Sequence, residues 1–197
     1  MTATQKFGVG FVCCAALVGV NASAQTSEAP GVSSSAGSQM RMAGTAPGVC
    51  RIASPTTLSS RNAVFSSNDS NGGQVTVQQL VNPVTGVAQA SEISLSFAAV
   101  CNVAHSVNVR SNLGGLTREE GVVDGSFASR VDYRLDARWA GVSATRTFSG
   151  TPGQIAIPVE DGAIGALELD FQTSAGGVPL ASGRYSDAVI IVLTAAS

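Results

Sequence analysis

Lysine is almost missing from this 197-residue chain, and the one present, Lys6, stands in an apolar leader at the N-terminus. Beyond that leader no ε-amino group remains. Lysine–asparagine isopeptide cross-links and sortase-type joining through a lysine amine are therefore excluded, and any assembly is non-covalent or runs through cysteine. Histidine is as scarce, with His105 alone. A catalytic triad needs a nucleophile and an orienting acid around its histidine, and no G-x-S-x-G elbow is there to supply them. A lone histidine at a strand start is expected at the surface. Charged residues make up 12% of the chain and form no basic cluster, which disfavours a nucleic-acid partner, since phosphate binding needs concentrated positive charge. No HExxH, Walker or dinucleotide fingerprint occurs, so neither an enzyme nor a cofactor is expected. Glu119, Glu120 and Asp124 sit in a glycine-flanked loop without EF-hand spacing and read as residues that solvate a turn. No apolar run approaches the roughly twenty residues of a membrane-spanning helix, so no transmembrane segment is expected.

What is there begins with export. Lys6 is followed by the apolar run 7–20 and by Ala22-Ser23-Ala24, the small-x-small pattern at which signal peptidase cuts. Residues 1–24 read as a signal peptide, leaving 173 residues that carry ten arginines against thirteen carboxylates. That length suits one ordinary domain with a tail. Cys13 and Cys14 fall in the leader, and two cysteines remain, Cys50 and Cys101. An even number in an exported chain is expected to pair. In the chain-entropy model, closing a loop of this length stabilises the fold by roughly 4 kcal/mol. Without a C-x-x-C spacing the two make neither a redox motif nor a zinc site.

Residues 25–49 are rich in Ser, Ala, Gly and Pro and read as a flexible extension. Val32, Ala36, Met40 and Met42 all fall on even positions, so an extended conformation would line them along one side. Residues 50–197 read as a domain of short strands divided by turns, without a sustained helical period. Ile93, Leu95, Phe97, Ala99 and Cys101 alternate with Ser94, Ser96 and Ala98, Val107 and Val109 with Ser106, Asn108 and Arg110, and Leu167, Leu169 and Phe171 with Glu168 and Asp170; Ile155, Ile157 and Val159 alternate in the same way. The clearest alternation runs from Arg130 to Trp139. Its odd positions are Val131, Tyr133, Leu135, Ala137 and Trp139, and its even positions form a ladder of Arg and Asp that neutralises itself on a solvated face. Seven or eight such strands without helices argue for an antiparallel β-sandwich of immunoglobulin-like type.

The last strand is the most apolar after the leader. From Ala188 to Leu193 both alternating sets are apolar, the pattern of a strand covered on both faces. Such a strand wants a neighbour. With no further strand after it in the chain, a neighbour from elsewhere becomes the functional question.

Three segments resemble one family. Ile93-Ser-Leu-Ser-Phe-Ala-Ala-Val-Cys101 followed by His105 to Gly115 is similar to its second-cysteine strand and the strand after it. Val131-Asp-Tyr-Arg-Leu-Asp-Ala-Arg-Trp-Ala-Gly141 resembles its "tyrosine, leucine, then Trp-Gly" strand, and Gly183-Arg-Tyr-Ser-Asp-Ala-Val-Ile-Ile-Val-Leu193 its closing G-x-Y-x-D-x-V-x-V-x-L signature. The family is the spore coat protein U domain group, which includes subunits of archaic chaperone-usher pili. Residues 63–67, Ala-Val-Phe-Ser-Ser, depart from the Phe-Gly-x-Tyr element of that group.

The resemblance implies an incomplete immunoglobulin-like sandwich, lacking its last strand. It is completed first by a periplasmic chaperone, at an outer-membrane usher, and then by the N-terminal extension of the next subunit in a head-to-tail polymer. The expected function is a structural, non-enzymatic subunit of a surface fimbria. Its acceptor groove would be lined by Tyr185, Val189, Ile191 and Leu193, and its donor strand would carry Val32, Ala36, Met40 and Met42. The rival expectation is a self-complete sandwich that binds carbohydrate or a surface through Trp139, Tyr133 or the arginine ladder.

Overall fold

The computed structural model describes residues 37–68, 72–121, 123 and 125–196. The leader, Val32, Ala36 and Asp124 lie outside the described residues. The chain divides into two units, Met1–Gly44 and Thr45–Ser197. In the first, residues 37–44 form no regular structure, and Met40 and Met42 are exposed.

The second unit is all-β, with no helix among the described residues. Its strands are β1 (Cys50–Arg61), β2 (Ala63–Ser67), β3 (Gly73–Val77), β4 (Ser91–Cys101), β5 (His105–Ser111), β6 (Leu116–Arg118) and β7 (Arg130–Val131). There follow β8 (Tyr133–Trp139), β9 (Val142–Phe148), β10 (Gly153–Val159), β11 (Ala163–Thr173), β12 (Tyr185–Ser186) and β13 (Val189–Ala195). A five-stranded sheet in the order β1-β4-β11-β8-β9 faces a three-stranded sheet in the order β10-β5-β13. Two small sheets, β12-β6-β7 and β2-β3, complete the unit, and every ladder between named strands is antiparallel.

The period-two pattern explains the two larger sheets. Ile93, Leu95, Phe97 and Ala99 of β4, Leu135 and Ala137 of β8 and Leu167 and Leu169 of β11 turn inward. They meet Val107 and Val109 of β5 and Ile155 and Ile157 of β10 in one shared core, the arrangement of a β-sandwich. A smaller cluster of Ala88, Val131 and Leu180 adjoins it through Leu116, which packs against both. The outward ladder pairs as its alternation implies, with Arg130 on Asp132 and Arg134 on Asp136 at 2.8 Å, and Arg138 on Glu168 and Asp170 at 3.0 and 2.7 Å.

The strand count differs from expectation because several strands are short or lack an inward face. The run from Arg130 to Trp139 breaks at Asp132, so β7 joins the small sheet while β8 stays in the large one. β9 begins at Val142, earlier than its alternation suggests, after the two-residue link Ala140-Gly141. Both link residues have positive φ, 50° and 79°, the requirement of a tight hairpin turn that matches the strand twist. Residues 178–180 form only an isolated bridge, Ala128 to Leu180.

Two expectations are corrected. His105 is not a surface residue; it is 3% exposed, on the inward parity of Val107 and Val109. The last strand is not covered on both faces either, since Ile190 and Val192 are 39% and 45% exposed.

Candidate functional site

β13 runs beside β5 with Val189 opposite Ser111 and Ala195 opposite His105. Just beyond its ends, the amide of Asn112 donates to the carbonyl of Ala188 (3.0 Å) and the amide of Ala196 to that of Ala104 (2.8 Å). In an antiparallel ladder bonded and non-bonded pairs alternate. The even-numbered residues of β13 therefore turn their N–H and C=O groups to β5, and those of Val189, Ile191, Leu193 and Ala195 face the other way. No described strand pairs with that side, though β1 at the edge of the facing sheet comes close to β13. Val189, Ile191 and Leu193 also send their side chains toward the core, yet they are only half-buried, whereas Val107 and Val109 beside them are fully buried. Among the described residues β13 is thus paired on one side only, and its inward side chains are half-buried.

The other outer edges of the two sheets are blunted. β1 carries Pro55, Arg51 and Arg61 and two register shifts, between Ile52 and Pro55 and between Thr57 and Ser59. β9 carries Arg146, whose guanidinium donates to the carbonyl of Gln154 on β10 (3.3 Å), which joins those two edges to each other. Proline, charge, bulges and mutual cover are the devices that keep edges from pairing with foreign strands. The sequence of β13, Val-Ile-Ile-Val-Leu-Thr-Ala, has no charge and no proline, and its ladder has no register shift.

Asp187 stands just before β13. Its carboxylate accepts hydrogen bonds from the hydroxyls of Ser111 (2.5 Å) and Tyr133 (2.8 Å) and from the amides of Leu113 (2.9 Å), Gly115 (3.4 Å) and Ala188 (2.7 Å). Burial pushes the Tyr133 phenol well above the ordinary tyrosine value. A hydrogen bond with Ser111 opposes that rise, and the bond to Asp187 and its negative charge add to it.

At the opposite end of β13, Cys50 is bonded to Cys101, directly across β1 and β4, with Cα atoms 4.0 Å apart. Asn102 then holds the incoming chain. Its amide donates to the carbonyl of Val49 (3.1 Å), its Oδ1 accepts from the Val49 amide (2.7 Å) and its Nδ2 donates to the carbonyl of Pro47 (3.0 Å). Residues 47–49 thereby continue the line of β1.

Of the expected groove residues, Val189, Ile191 and Leu193 lie together on the inward face of the open strand. Tyr185 does not join them. It belongs to β12, packs in the small cluster and donates its hydroxyl to the carbonyls of Ala181 (2.7 Å) and Ala128 (3.0 Å). Burial raises its pKa; the charge of Arg118 opposes the rise and that of Glu120 adds to it. Trp139 and Tyr133, the aromatic contacts of the rival binding module, are core residues at 2% and 5% exposure. Sequence reasoning passed over Asp187, Ser111 and Asn102. Asp187 lies inside the closing signature, but a carboxylate ahead of a strand looks like an ordinary turn residue.

Among the described residues no three His, Cys, Asp or Glu side chains gather closely enough to hold a metal ion. Fold and site define an all-β protein with antiparallel sheets and an internal disulfide, in which β13 pairs on one side among the described residues. A scan against protein-family models and a search of curated proteins each found no match. Among the described residues no helix is long and apolar enough to cross a membrane; that and the disulfide are compatible with an exported protein.

Proposed function

We propose that this protein is an exported structural subunit of a surface fimbria, assembled by donor-strand complementation. The observation that carries the reading is the β13 edge, which among the described residues is paired on one side only and carries no charge, proline or register shift. A donor strand laid there would bond the outward N–H and C=O groups of Val189, Ile191 and Leu193 and cover their side chains. An edge so apolar is an aggregation hazard unless something occupies it. A periplasmic chaperone would occupy it in transit to an outer-membrane usher, and another subunit's extension would replace the chaperone in the polymer.

In this reading the extension, residues 25–49, serves as the donor strand for another subunit. Repeated head to tail, such a contact does not close and grows a filament. The rival binding module has less support, since its aromatic contacts are buried and its arginines are engaged by neighbouring carboxylates.

The test compares residues 25–197 with the same chain carrying residues 25–49 again after Ser197 on a short linker. The fused form is expected to unfold at a higher urea concentration and remain monomeric, while the unfused form oligomerises or unfolds early. A stable, two-state unfused monomer that gains nothing from the fusion overturns the reading.

A further inference from the structure

The sequence of β13 leaves its own register undetermined. In a strand with one apolar and one polar face, a slip of one residue carries the apolar set into water, so burial fixes the pairing. In Val189-Ile-Ile-Val-Leu193 both sets are apolar, and a slipped strand would bury Ile190 and Val192 as readily as Val189 and Ile191. The strand is also paired on one side only. Edge strands with incomplete cover belong to the parts of a fold that open first. Slippage would exchange the groups that face the free edge with those that bond β5 and so shift the acceptor by one residue against the rest of the fold.

We propose that Asp187 is the latch that fixes β13 in register and so positions the open edge. Its carboxylate draws donors from three places: Ser111 at the end of β5, Leu113 and Gly115 in the turn that follows, and Tyr133 on β8 of the opposite sheet. Hydrogen bonds to an ionised acceptor are roughly twice as strong as neutral ones. The donors are themselves held. Ser111 is fully buried, and its Oγ also accepts the amide of Gly114 at 2.8 Å. The Tyr133 ring lies 5.2 Å from the Phe148 ring and 6.1 Å from the Phe171 ring. The next residue, Ala188, is locked by its amide to Asp187 and by its carbonyl to Asn112, so the parity of every residue after it is determined. At the far end the ladder closes with the single bond from Ala196 to Ala104. The latch therefore acts from one end.

The latch rests on the hydrogen bonds of β13 itself; its bearing on assembly rests on the donor-strand reading. The test is native-state amide exchange on the full chain and its Asp187→Ala, Asp187→Asn and Tyr133→Phe variants. It compares the amides of Ile190, Val192 and Thr194 with those of β4 and β11. In Asp187→Ala the β13 amides are expected to lose protection at least tenfold more than the large sheet. Tyr133→Phe, which removes one hydroxyl, should produce a smaller loss confined to the same strand, and it carries the test if the alanine variant fails to fold. Unchanged β13 protection, or protection that falls only in step with β4 and β11, overturns the latch. Repeating Asp187→Ala with residues 25–49 fused after Ser197 separates the two ideas. Restored β13 protection supports both, whereas a loosened β13 that the fusion leaves loose sinks the donor reading alone.

Discussion

The indole N–H of Trp139 donates to Nε2 of His105 across 2.8 Å. With Nε2 accepting, the imidazole proton sits on Nδ1, which donates to the carbonyl of Val103 at 2.8 Å. The histidine is thus a neutral bridge between β8 in one sheet and the entry to β5 in the other. His105→Ala removes that bridge and strands a buried indole N–H, so it should destabilise the protein by about 2–4 kcal/mol. His105→Gln, which still offers an acceptor, should lose less. The chain has one tryptophan, so urea unfolding followed by its fluorescence reads this site directly. Equal stability of all three proteins would refute the bridge.

The disulfide closes a loop of 51 residues at the end of the domain where the extension enters. Replacing Cys50 and Cys101 together with serine should lower stability by about 4 kcal/mol in the chain-entropy account. Asn102 continues the same tether by three hydrogen bonds to residues 47–49, two of them from its side chain. Asn102→Ala should leave the melting temperature close to wild type while exposing the 47–49 segment to proteolysis. If that segment resists protease as well as before, Asn102 is not its anchor.

Strands buried on one face were legible in the sequence because half-burial writes a period of two. β4, β8 and β11 show it in Ile93–Cys101, Tyr133–Trp139 and Leu167–Phe171. The first half of β9 was hidden for the opposite reason, since Val142 to Thr147 face solvent on nearly every side and no period is imposed. His105 had a usable signal in its parity with Val107 and Val109. Tyr185 had a misleading one, sharing parity with Val189, Ile191 and Leu193, because parity does not survive the break between β12 and β13, which belong to different sheets. The open edge itself leaves no trace in composition. Which way an N–H points depends on pairing across 78 residues, from Ser111 to Val189. The five donors to Asp187 likewise come together only in the fold.

Both tyrosines of the chain should titrate late. Burial leads the upward shift at Tyr133 and at Tyr185, and an unfolded tyrosine ionises near pH 10. Below that pH both folded and unfolded states hold the proton, and these groups add no pH dependence. Above it the unfolded chain loses the proton first, so stability should fall steadily as pH rises from about 10 toward the folded values. Absorbance of tyrosinate in the native protein should lag that of the urea-unfolded protein. Coincident titration curves would contradict the buried setting of Tyr133.

At acid pH the outer ladder should respond with the opposite sign. Partial burial works to raise the Asp136 carboxyl. Hydrogen bonds from Thr145 and Arg134 and the charges of Arg134 and Arg138 outweigh it and leave the pKa below the ordinary value. A depressed carboxylate adds stability above its unfolded pKa of about 3.9 and loses it as pH falls further. Asp136→Asn should therefore flatten the stability profile below about pH 4 and lower stability at neutral pH by the amount so removed, because the contribution lost on protonation is the one present above the unfolded pKa. An unaltered acid limb would assign that limb to other carboxylates.

The two parities of β13 make the sharpest contrast. Val192 is exposed and bonded to β5, so Val192→Thr should change stability by no more than about 0.5 kcal/mol. Ile191 is half-buried beneath the open edge, and Ile191→Ala should destabilise the isolated chain by about 1–2 kcal/mol, less than a fully buried isoleucine would lose. If a donor strand completes the core, the same substitution in the chain with residues 25–49 fused after Ser197 should cost about 2–5 kcal/mol, the range for full burial. Val192→Thr should remain near neutral there, because its side chain faces away from the groove. The difference between the two backgrounds is a coupling energy between Ile191 and the added strand. A coupling of zero would mean that the strand never enters the groove, whatever it does to overall stability.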